Sequence, residues 1–431
     1  MNTYYKALAL GGAALVVPAL WLRSLSRPGE GERLRERLGR LGGRARQPGC
    51  LWLQAVSVGE VRVAETLAGA LLKSGFSSPL ALSATTAAGL ARAEASGPAC
   101  GGEVFAFPLD LTPVVRRTLD ALRPAAYGSI ETEIWPGLLG ECARRGVPAF
   151  IASGSISGRS ARRYGLIGGA VAPALGSLRA ACMQTDADAE RLLSLGARAG
   201  AVVVTGDIKF DAAPREGAPS AAALAAAFGL APGRPVLVAG STAPGEEAIV
   251  LDAFRRAARA VPDLALVVAP RHRERFDEVA AAMAKAGVEP RRRSRGGPVT
   301  ARPDVVLLDT IGELETAYGL ADVAFVGGSL VPRGGQNPLE PARAGVPILF
   351  GPGMDNFREA ATALVDCGAA FVVHDAGSMA ERAAALFGDR EARAQAAGAG
   401  KKFVAAHAGA TRRTLAALRE RIPEVFGGLA A

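Results

Sequence analysis

Short apolar runs alternate with helical stretches along nearly the whole chain, in two successive series. Within a run such as Val323 to Val326, the apolar residues follow one another without polar alternation. Runs of this kind are typical of strands in a parallel sheet whose two faces are both covered by helices. Repeated strand–helix units therefore predict an α/β protein with two doubly wound parallel sheets. The apolar runs of the first series are Leu51 to Val56, Leu80 to Leu82, Val104 to Phe107, Ala125 to Ile130, Ala149 to Ala152, Ala180 to Met183 and Val202 to Val204. Those of the second series are Val236 to Ala239, Leu264 to Ala269, Val305 to Leu308, Val323 to Val326, Ile348 to Phe350 and Phe371 to Val373.

The chain has 431 residues, which is too long for one ordinary core, so about two domains are expected. Residues 211–235 shift to alanine, proline and glycine and are interpreted as the connection. Ligands of doubly wound sheets bind beyond the carboxyl ends of the strands, which predicts a ligand cleft between the two domains. The predicted divisions are a membrane-anchor helix at 1–25, a basic connector at 26–48, a Rossmann-like domain at 49–212, an inter-domain region at 213–233, a second Rossmann-like domain at 234–400 and a C-terminal helix at 401–431.

The amino-terminal segment from Ala7 to Leu22 is uncharged and lies between Lys6 and Arg23. A helix of this length rises about 24 Å, just short of the roughly 30 Å hydrocarbon core of a bilayer. We therefore expect a membrane anchor that spans the bilayer or is partly inserted in it. A cleaved signal peptide is the alternative, disfavoured by the arginines that follow at once. The excess of arginine up to residue 46 predicts that this end faces the cytoplasm and anionic headgroups.

The charge balance indicates an anionic partner. The chain carries 50 Lys and Arg against 41 Asp and Glu, a net charge of +9. Aromatic residues make up only 5% and do not interleave with a basic stripe, which argues against a nucleic-acid partner. Phosphorylated small molecules or an anionic membrane surface fit better. The five cysteines lack CxxC spacing and the three histidines have no His or Cys neighbour at ligand spacing, so no metal site is expected.

The stretch from Ala321 to Glu340 is interpreted as a strand, a glycine-rich loop and the first turn of a helix. Glycines allow positive φ and close approach of a ligand to the backbone. Asn337 followed by Pro338 predicts an N-cap and the first helical residue, whose free N–H groups would bind a phosphate. Glu340 is placed to accept hydrogen bonds from a ribose. The alternative is an ordinary strand-to-helix connection with an acid at the helix start.

Acidic residues follow two strands of the first series. Glu60 comes soon after the first strand, and Glu131 and Glu133 follow the fourth. A carboxylate facing a cleft can serve as a general base if its environment tunes its pKa. The alternative for Glu60 is an acid at a helix start that is favourable to the helix dipole and has no catalytic role. Glu131 and Glu133 could be paired with each other or could cap the next helix. Lys209 ends the first series, where it could face a phosphate or remain a solvated loop lysine.

Loops of the second series carry further candidates. Arg271 lies in a cationic loop after one strand. Its guanidinium could bind a phosphate or carboxylate through two hydrogen bonds, or it could be one of several solvent-exposed basic residues. Thr310 to Glu313 follow the next strand and could contact a base or ribose, or cap a helix. Asp186 and Asp188 match an Asp-x-Asp metal motif superficially, but the helical sequence after them predicts N-capping.

Nine short motifs, in order along nearly the whole chain, resemble those of the 3-deoxy-D-manno-octulosonic acid (Kdo) transferases of lipopolysaccharide synthesis. The match extends from the amino-terminal segment to about Asp389. The motifs are Val56-Ser-Val-Gly-Glu60, Glu131-Thr-Glu-Ile-Trp-Pro136, Thr205-Gly-Asp-Ile-Lys-Phe-Asp211, Gly240-Ser-Thr-Ala-Pro-Gly-Glu-Glu247, Pro270-Arg-His272, Gly312-Glu-Leu314, Gly327-Gly-Ser-Leu330, Asn337-Pro-Leu-Glu340 and Asn356-Phe-Arg358.

The resemblance implies a GT-B fold and an inverting transfer of Kdo from CMP-Kdo to a lipid A precursor (lipid IVA), without metal or cofactor. It also implies that the reaction takes place on the cytoplasmic side of the bacterial inner membrane. Glu60 matches the general base of the family, and Glu131 and Lys209 match positions that stabilise the transition state. The segments that match CMP-contacting positions are Pro270 and Arg271, then Ile311, Gly312 and Glu313, then Asn337, Pro338, Leu339 and Glu340.

Some positions depart from the family pattern. Gln336 stands where His is common, Ser155 where Arg is usual and Ala243 where His is usual. Two alternatives therefore stay open. One is a GT-B transferase that uses a UDP-sugar, because fold alone does not separate donors. The other is a non-catalytic, membrane-tethered protein that binds nucleotide sugars.

Overall fold

The computed structural model describes residues 3–26, 29–42, 48–100, 102–131, 133–211, 219–296 and 304–429. The chain divides into two compact units. Unit 1 comprises Met1–Ala213 and His407–Ala431, and unit 2 comprises Pro214–Ala406.

The strands are short and all of them pair in parallel. Each predicted run forms a strand, with ends that differ by a few residues. In chain order the strands are β1 (Leu51–Ala55), β2 (Leu80–Ala84), β3 (Glu103–Ala106), β4 (Ala126–Ile130), β5 (Ala149–Gly154), β6 (Ala180–Met183), β7 (Val202–Val204), β8 (Val236–Thr242), β9 (Ala265–Pro270), β10 (Arg291–Arg292), β11 (Val305–Leu307), β12 (Val323–Val326), β13 (Ile348–Phe350) and β14 (Ala370–Val372).

Helices connect most of these strands. In chain order they are α1 (Thr3–Ser26), α2 (Glu30–Arg37), α3 (Val58–Lys73), α4 (Ala87–Cys100), α5 (Thr112–Leu122), α6 (Pro136–Arg144), α7 (Gly158–Leu166), α8 (Gly168–Gly176), α9 (Asp186–Ser194), α10 (Ala221–Phe228), α11 (Glu246–Ala257), α12 (Phe276–Lys285), α13 (Leu314–Tyr318), α14 (Leu339–Ala344), α15 (Arg358–Asp366), α16 (Ala376–Gly388), α17 (Arg390–His407), α18 (Ala410–Arg421) and α19 (Pro423–Phe426).

Each unit contains one seven-stranded sheet. The strand order is β3-β2-β1-β4-β5-β6-β7 in unit 1 and β10-β11-β9-β8-β12-β13-β14 in unit 2. The winding reverses between β1 and β4 and between β8 and β12, and such reversals open a crevice at the carboxyl ends of the strands. The predicted pair of Rossmann-like α/β domains is therefore confirmed. Strand β10 was not predicted, because its two arginines give no apolar signal.

Both faces of each sheet are buried, as the uniformly apolar runs predicted. Leu51 and Leu53 of β1 belong to one core cluster, whereas Trp52 between them belongs to another. In β8, Leu237 faces one cluster and Val238 the other. Successive side chains of a strand point to opposite faces, so a strand between two helical layers is apolar at most positions. The buried polar exception in β1 is Gln54, whose amide hydrogen-bonds Ser83 and Thr85 on the neighbouring chain segment.

The amino-terminal segment forms the predicted helix, but its interpretation as a membrane anchor is not supported. In the described part of the chain, no helix combines the length and apolar character needed to cross a bilayer. The uncharged run within α1 is too short for the hydrocarbon core, and it includes Gly11, Gly12 and Pro18. The hydroxyl of Tyr5 on this helix donates a hydrogen bond to Asp110 Oδ2 at 2.6 Å, which ties α1 to unit 1.

Helix α2 packs on the edge of the first sheet. Its Glu36 is buried and accepts a hydrogen bond from the backbone N–H of Ala106 in β3 at 2.8 Å. Strand β3 is the last strand of the sheet on this side, so the carboxylate satisfies a backbone group that would otherwise lack a partner.

Candidate active site

Glu60 lies at the start of α3, beside the crevice between β1 and β4. Its carboxylate accepts hydrogen bonds from the Val56 N–H at 2.7 Å and from the Ser57 hydroxyl at 3.1 Å. Ser57 is the N-cap of α3 and accepts in return from the Glu60 N–H at 3.4 Å. Glu60 is therefore an acid at the helix start, as the alternative interpretation expected, and its carboxylate binds the N–H of Val56, the residue before the N-cap. These contacts also fix the direction of a carboxylate that is still partly exposed.

The electrostatic surroundings of Glu60 suit a base. Burial raises the pKa of the Glu60 carboxyl to about 7, and the charge of Glu131 adds to this, while the hydrogen bonds from Val56 and Ser57 oppose it. A general base works best when its pKa lies near the operating pH. Capping and proton transfer are therefore compatible roles for one side chain.

Glu131 follows β4 in a strained backbone conformation, with φ of 56°. A left-handed conformation costs energy for a residue with a Cβ and often marks a functional position. The Glu131 carboxylate forms an ion pair with the ammonium group of Lys209. Burial lowers the pKa of Lys209, but the charges of Glu131 and Asp207 outweigh this effect and raise it overall. Lys209 is therefore held as a cation beside Glu60 and Glu131.

Three residues around Lys209 were not singled out from the sequence. Ser153 at the end of β5 donates a hydrogen bond to Asp207 Oδ1 at 3.0 Å, and the Lys209 N–H donates to the same oxygen at 2.9 Å. The Gln184 amide donates to the Ser153 carbonyl at 2.9 Å. Each residue lies at or just after the carboxyl end of a strand, which was the one signal available. They hold the loop that carries Lys209.

Glu133 is a second carboxyl with a raised pKa, and neither it nor Glu131 caps α6. Burial raises the pKa of Glu133 to about 7, and the charge of Glu131 adds to this. The first turn of α6 is capped instead by Asp110, which accepts from the Gly137 N–H at 2.8 Å and the Leu138 N–H at 2.7 Å. Asp110 lies far from α6 in sequence, which is why sequence patterns did not reveal the cap.

The candidates of unit 2 also lie at carboxyl ends of strands. Pro270 ends β9 and is buried, whereas the side chain of Arg271 is exposed and its N–H donates to the Thr242 carbonyl at 3.0 Å. Ile311 is 57% exposed, which is unusual for isoleucine and fits a ligand-contacting position.

The Ile311 loop continues into Gly312 with a φ of 94°. Glu313 accepts from the Arg293 guanidinium at 2.8 Å and hydrogen-bonds the Thr310 hydroxyl. The Glu313 side chain does not cap α13, so the capping alternative fails here.

The segment from Asn337 to Glu340 forms a cap one residue later than predicted. Helix α14 begins at Leu339, and Asn337 Oδ1 accepts from the Leu339 N–H at 3.0 Å. The Asn337 amide also donates to the buried carboxylate of Glu340 at 3.4 Å, while Pro338 and Leu339 are buried beneath them. The nearby glycine-rich loop differs from expectation, because the N–H groups of Gly328, Ser329 and Leu330 donate to Glu246.

The two acids of the Asp-x-Asp pattern are structural. Thr185 is the N-cap of α9, one residue before the predicted cap, and its hydroxyl donates to Asp188 Oδ2 at 2.6 Å. Asp188 is buried and also accepts from the Ile156 N–H at 2.8 Å. Over the described ranges, no three His, Cys, Asp or Glu side chains are grouped so that they could hold a metal ion.

Comparison with known proteins gives the same family as the motifs, over 96% of the chain. Residues 32–212 match the family model of 3-deoxy-D-manno-octulosonic-acid transferase (kdotransferase). The chain is 40% identical over 96% of its length to the 3-deoxy-D-manno-octulosonic acid transferase of Bordetella pertussis, of which 98% is covered. It is 32% identical over 96% of its length to that of Haemophilus influenzae, of which 97% is covered.

Among solved structures, the UDP-GlcNAc 2-epimerase of Neisseria meningitidis matches with a TM-score of 0.57 at 12% identity, over 86% of this chain and 100% of that one. A glycosyltransferase of Rickettsia africae matches with a TM-score of 0.57 at 10% identity, over 87% of this chain and 99% of that one. At such identities the likeness shows the fold alone, and that fold is of the GT-B type. From its near full-length relatives, the chain belongs to the 3-deoxy-D-manno-octulosonic acid (Kdo) transferase family of glycosyltransferases.

Proposed function

We propose that this protein transfers Kdo from CMP-Kdo to a lipid A precursor in one inverting displacement that uses no metal ion. The observation that carries the proposal is the carboxyl of Glu60, whose pKa is raised to about 7 beside the Glu131–Lys209 ion pair. Membership of the Kdo transferase family supports the donor sugar.

In the proposed reaction Glu60 accepts the proton of an acceptor hydroxyl. The freed oxygen attacks the anomeric carbon of Kdo from the face opposite the phosphate, so a new carbon–oxygen bond forms as the bond to phosphate breaks. CMP leaves with the bonding electron pair. Lys209, held as a cation by Glu131, stabilises the negative charge that develops in the transition state.

Unit 2 is proposed to bind the donor. Arg271 is the candidate for the phosphate, because a guanidinium matches phosphate oxygens in geometry and charge. The exposed Ile311 would contact the base, and the Asn337 to Glu340 segment would contact the ribose, for which the Glu340 carboxylate is the acceptor.

An anionic lipid acceptor is supported by the surface of unit 1. Helix α7 exposes Arg159, Arg162 and Arg163 together with Leu166, which is 83% exposed. It begins four residues after β5, whose end carries Ser153 beside the Lys209 loop. Helix α1 also exposes apolar side chains, among them Leu15 at 79%. We propose that these helices contact a bilayer surface at the cytoplasmic face of the inner membrane without crossing it.

The test of the reaction is incubation of the purified protein with CMP-Kdo and tetraacyl lipid A precursor, with products identified by mass. Glu60→Gln should lower the transfer rate by about 10²- to 10⁴-fold, because general base catalysis contributes about that much. Glu65→Gln is the matched control, since Glu65 lies on the same helix and pairs with Arg92. Equal rates for E60Q and wild type would refute the role of Glu60, and turnover of UDP-sugars instead of CMP-Kdo would refute the donor.

The test of the membrane contact is flotation with vesicles that contain or lack anionic phospholipid. The double variant R159Q/R162Q should bind anionic vesicles more weakly than R412Q/R419Q, in which two exposed arginines of α18 are replaced. Equal loss in both variants would show that overall charge, and not α7, governs binding.

A further inference from the structure

The carboxylate of Glu246 is fully buried at the crevice of unit 2, where the winding of its sheet reverses. Glu246 is the first residue of α11 and has no exposed surface. Its oxygens accept four backbone hydrogen bonds, from the N–H groups of Ala243 at 2.8 Å, Gly328 at 2.6 Å, Ser329 at 3.0 Å and Leu330 at 2.9 Å. The donors come from the loop after β8 and the loop after β12.

Successive backbone N–H groups that converge in this way form a nest, which in many nucleotide-binding folds holds a phosphate. Here the nest is filled from within. A Cβ atom built on Gly327 would lie 2.6 Å from the Ser241 carbonyl and 2.9 Å from Glu246 Oε2. The glycine is therefore required by packing against the protein itself, and the N–H groups of the nest are already bonded to the Glu246 carboxylate.

The loop that Glu246 holds continues to the segment assigned to the ribose. The Gln336 N–H donates to the Gly327 carbonyl at 3.1 Å, and the Gly335 N–H donates to the Gly328 carbonyl at 2.8 Å. Gln336 immediately precedes Asn337. Any shift of the loop at Gly327 and Gly328 is thereby passed on to Asn337 and Glu340.

We infer that Glu246 is a positioning residue whose carboxylate takes the place of a phosphate in the nest. The donor phosphate is bound outside the nest, and Glu246 fixes the loop so that the Asn337 to Glu340 segment is ready to bind the nucleotide. That Glu246 fills the nest does not depend on the reaction of the protein, whereas its effect on binding of the nucleotide donor rests on the proposed function.

The first experiment measures thermal unfolding of Glu246→Ala in sodium formate and in sodium chloride of equal ionic strength. E246A leaves four buried N–H groups unpaired, so its Tm should fall, and formate should restore part of the loss by entering the nest. Leu251→Ala is the matched control, because Leu251 is buried on the same helix and leaves an apolar cavity. Equal effects of formate on E246A and L251A would overturn the inference.

Inorganic phosphate provides the second arm. It should raise the Tm of E246A more than that of the wild type, because the variant gains an anion site in the nest in addition to any site outside it. An equal rise in the two proteins would mean that removal of the carboxylate opens no anion site, which would overturn the inference.

The third arm uses Glu246→Gln, which keeps the side-chain shape but offers one acceptor oxygen and turns an NH₂ group toward N–H donors. The KM for CMP-Kdo should rise at least tenfold, whereas kcat at saturating donor should change by less than about threefold. Glu246→Asp should recover part of the affinity, because it retains both oxygens. An unchanged donor KM in E246Q would overturn the positioning role. The formate and phosphate experiments need no substrate. They therefore test whether the Glu246 carboxylate fills the nest even if the proposed reaction is not observed.

Discussion

At the scale of single residues, Glu60 shows that one side chain can cap a helix and still be prepared for proton transfer. Both carboxylate oxygens are oriented by the start of α3, while burial and the charge of Glu131 raise the pKa to about 7. The sequence predicts that Glu60 lies at a helix start, where an acid is favourable to the helix dipole. The raised pKa comes first from burial and then from the charge of Glu131, which lies 71 residues away in the chain.

The pH dependence of transfer follows from this pair. The base must be ionised, so kcat/KM should rise with pH through about 7 and level off above it. Glu131→Gln removes the negative charge that raises the pKa of Glu60, so the rise should move to lower pH. Initial rates measured from pH 5 to 9 for wild type and E131Q test this. If the midpoint of the rise in kcat/KM were at the same pH in E131Q as in wild type, the rise could not be assigned to ionisation of Glu60.

Glu133 gives a stability prediction of definite sign. Its pKa in the folded protein, about 7, lies above the ordinary value of 4.5 for a glutamate, so between these pH values the native state holds a proton that the unfolded chain has lost. The stability that this group contributes is therefore complete below about 4.5 and is lost as the pH rises through about 7. The difference between the free energies of unfolding of wild type and Glu133→Gln should therefore decrease as the pH is raised from about 4.5 to above 7. Urea titrations at pH 4.5, 6 and 8 measure it, and a constant difference would refute the buried titration.

At the scale of elements, the start of α6 depends on groups brought from elsewhere. Asp110 precedes α5, yet it caps α6 and also accepts the hydroxyl of Tyr5 on α1. The loop that leads into α6 contains Glu133, so this cap supports the backbone beside the candidate base. Charged caps at helix starts are favoured by the exposed N–H groups and the helix dipole.

Removal of the Tyr5 hydroxyl tests how much α1 stabilises this cap. Tyr5→Phe should lower the free energy of unfolding of unit 1 by about 1–3 kcal/mol, because the buried Asp110 loses one of three hydrogen-bond donors. Guanidinium titration of Y5F, Asp110→Asn and the double variant gives a coupling energy. Additive effects in this cycle would show that the hydrogen bond contributes nothing.

Two glycines of unit 1 make a matched pair for packing. A Cβ on Gly128 in β4 would lie 2.3 Å from the ring of Phe150, so Gly128→Ala should cost about 1–3 kcal/mol. A Cβ on Gly140 in α6 would meet no atom within 4 Å, so Gly140→Ala should be neutral or stabilising by roughly 0.5–1 kcal/mol. Chemical denaturation of both variants checks the contrast. Equal losses would mean that β4 and β5 adjust to the methyl group.

At the scale of the whole molecule, unit 1 is built from both ends of the chain. After α17 in unit 2 the chain returns, and α18 and α19 complete the core of unit 1. Phe426 on α19 is fully buried between Phe76 and Phe150, with ring centroids 5.7 Å from each. The core of unit 1 therefore depends on α18 and α19, which follow unit 2 in the chain.

Phe426→Ala should destabilise unit 1 by about 3–5 kcal/mol, because it leaves a large cavity in that core. All three tryptophans, Trp21, Trp52 and Trp135, belong to unit 1, so tryptophan fluorescence follows its unfolding alone. The reciprocal variant is Phe228→Ala, whose side chain is fully buried in unit 2. Phe228→Ala should leave the fluorescence transition of unit 1 unchanged. It should shift only the unfolding of unit 2, which far-UV circular dichroism detects and tryptophan fluorescence does not. A fluorescence shift of the same size in F228A would show that the units unfold together.

The amino-acid sequence alone determined the two parallel sheets, because strands buried on both faces are apolar at most positions. It also placed Glu60, Glu131, Lys209 and the loops of unit 2 after the carboxyl ends of strands, where ligands of doubly wound folds bind. Their individual roles follow from the resemblance to the Kdo transferases and stay predictions. Tertiary structure decided what depends on residues distant in sequence. The Asp110 cap, the Glu246 carboxylate in the nest, the pKa of Glu60 and the return of α18 to unit 1 each join segments far apart in the chain. Local patterns record which face of a strand is buried, whereas hydrogen bonds and charges act between whichever groups the completed fold brings together.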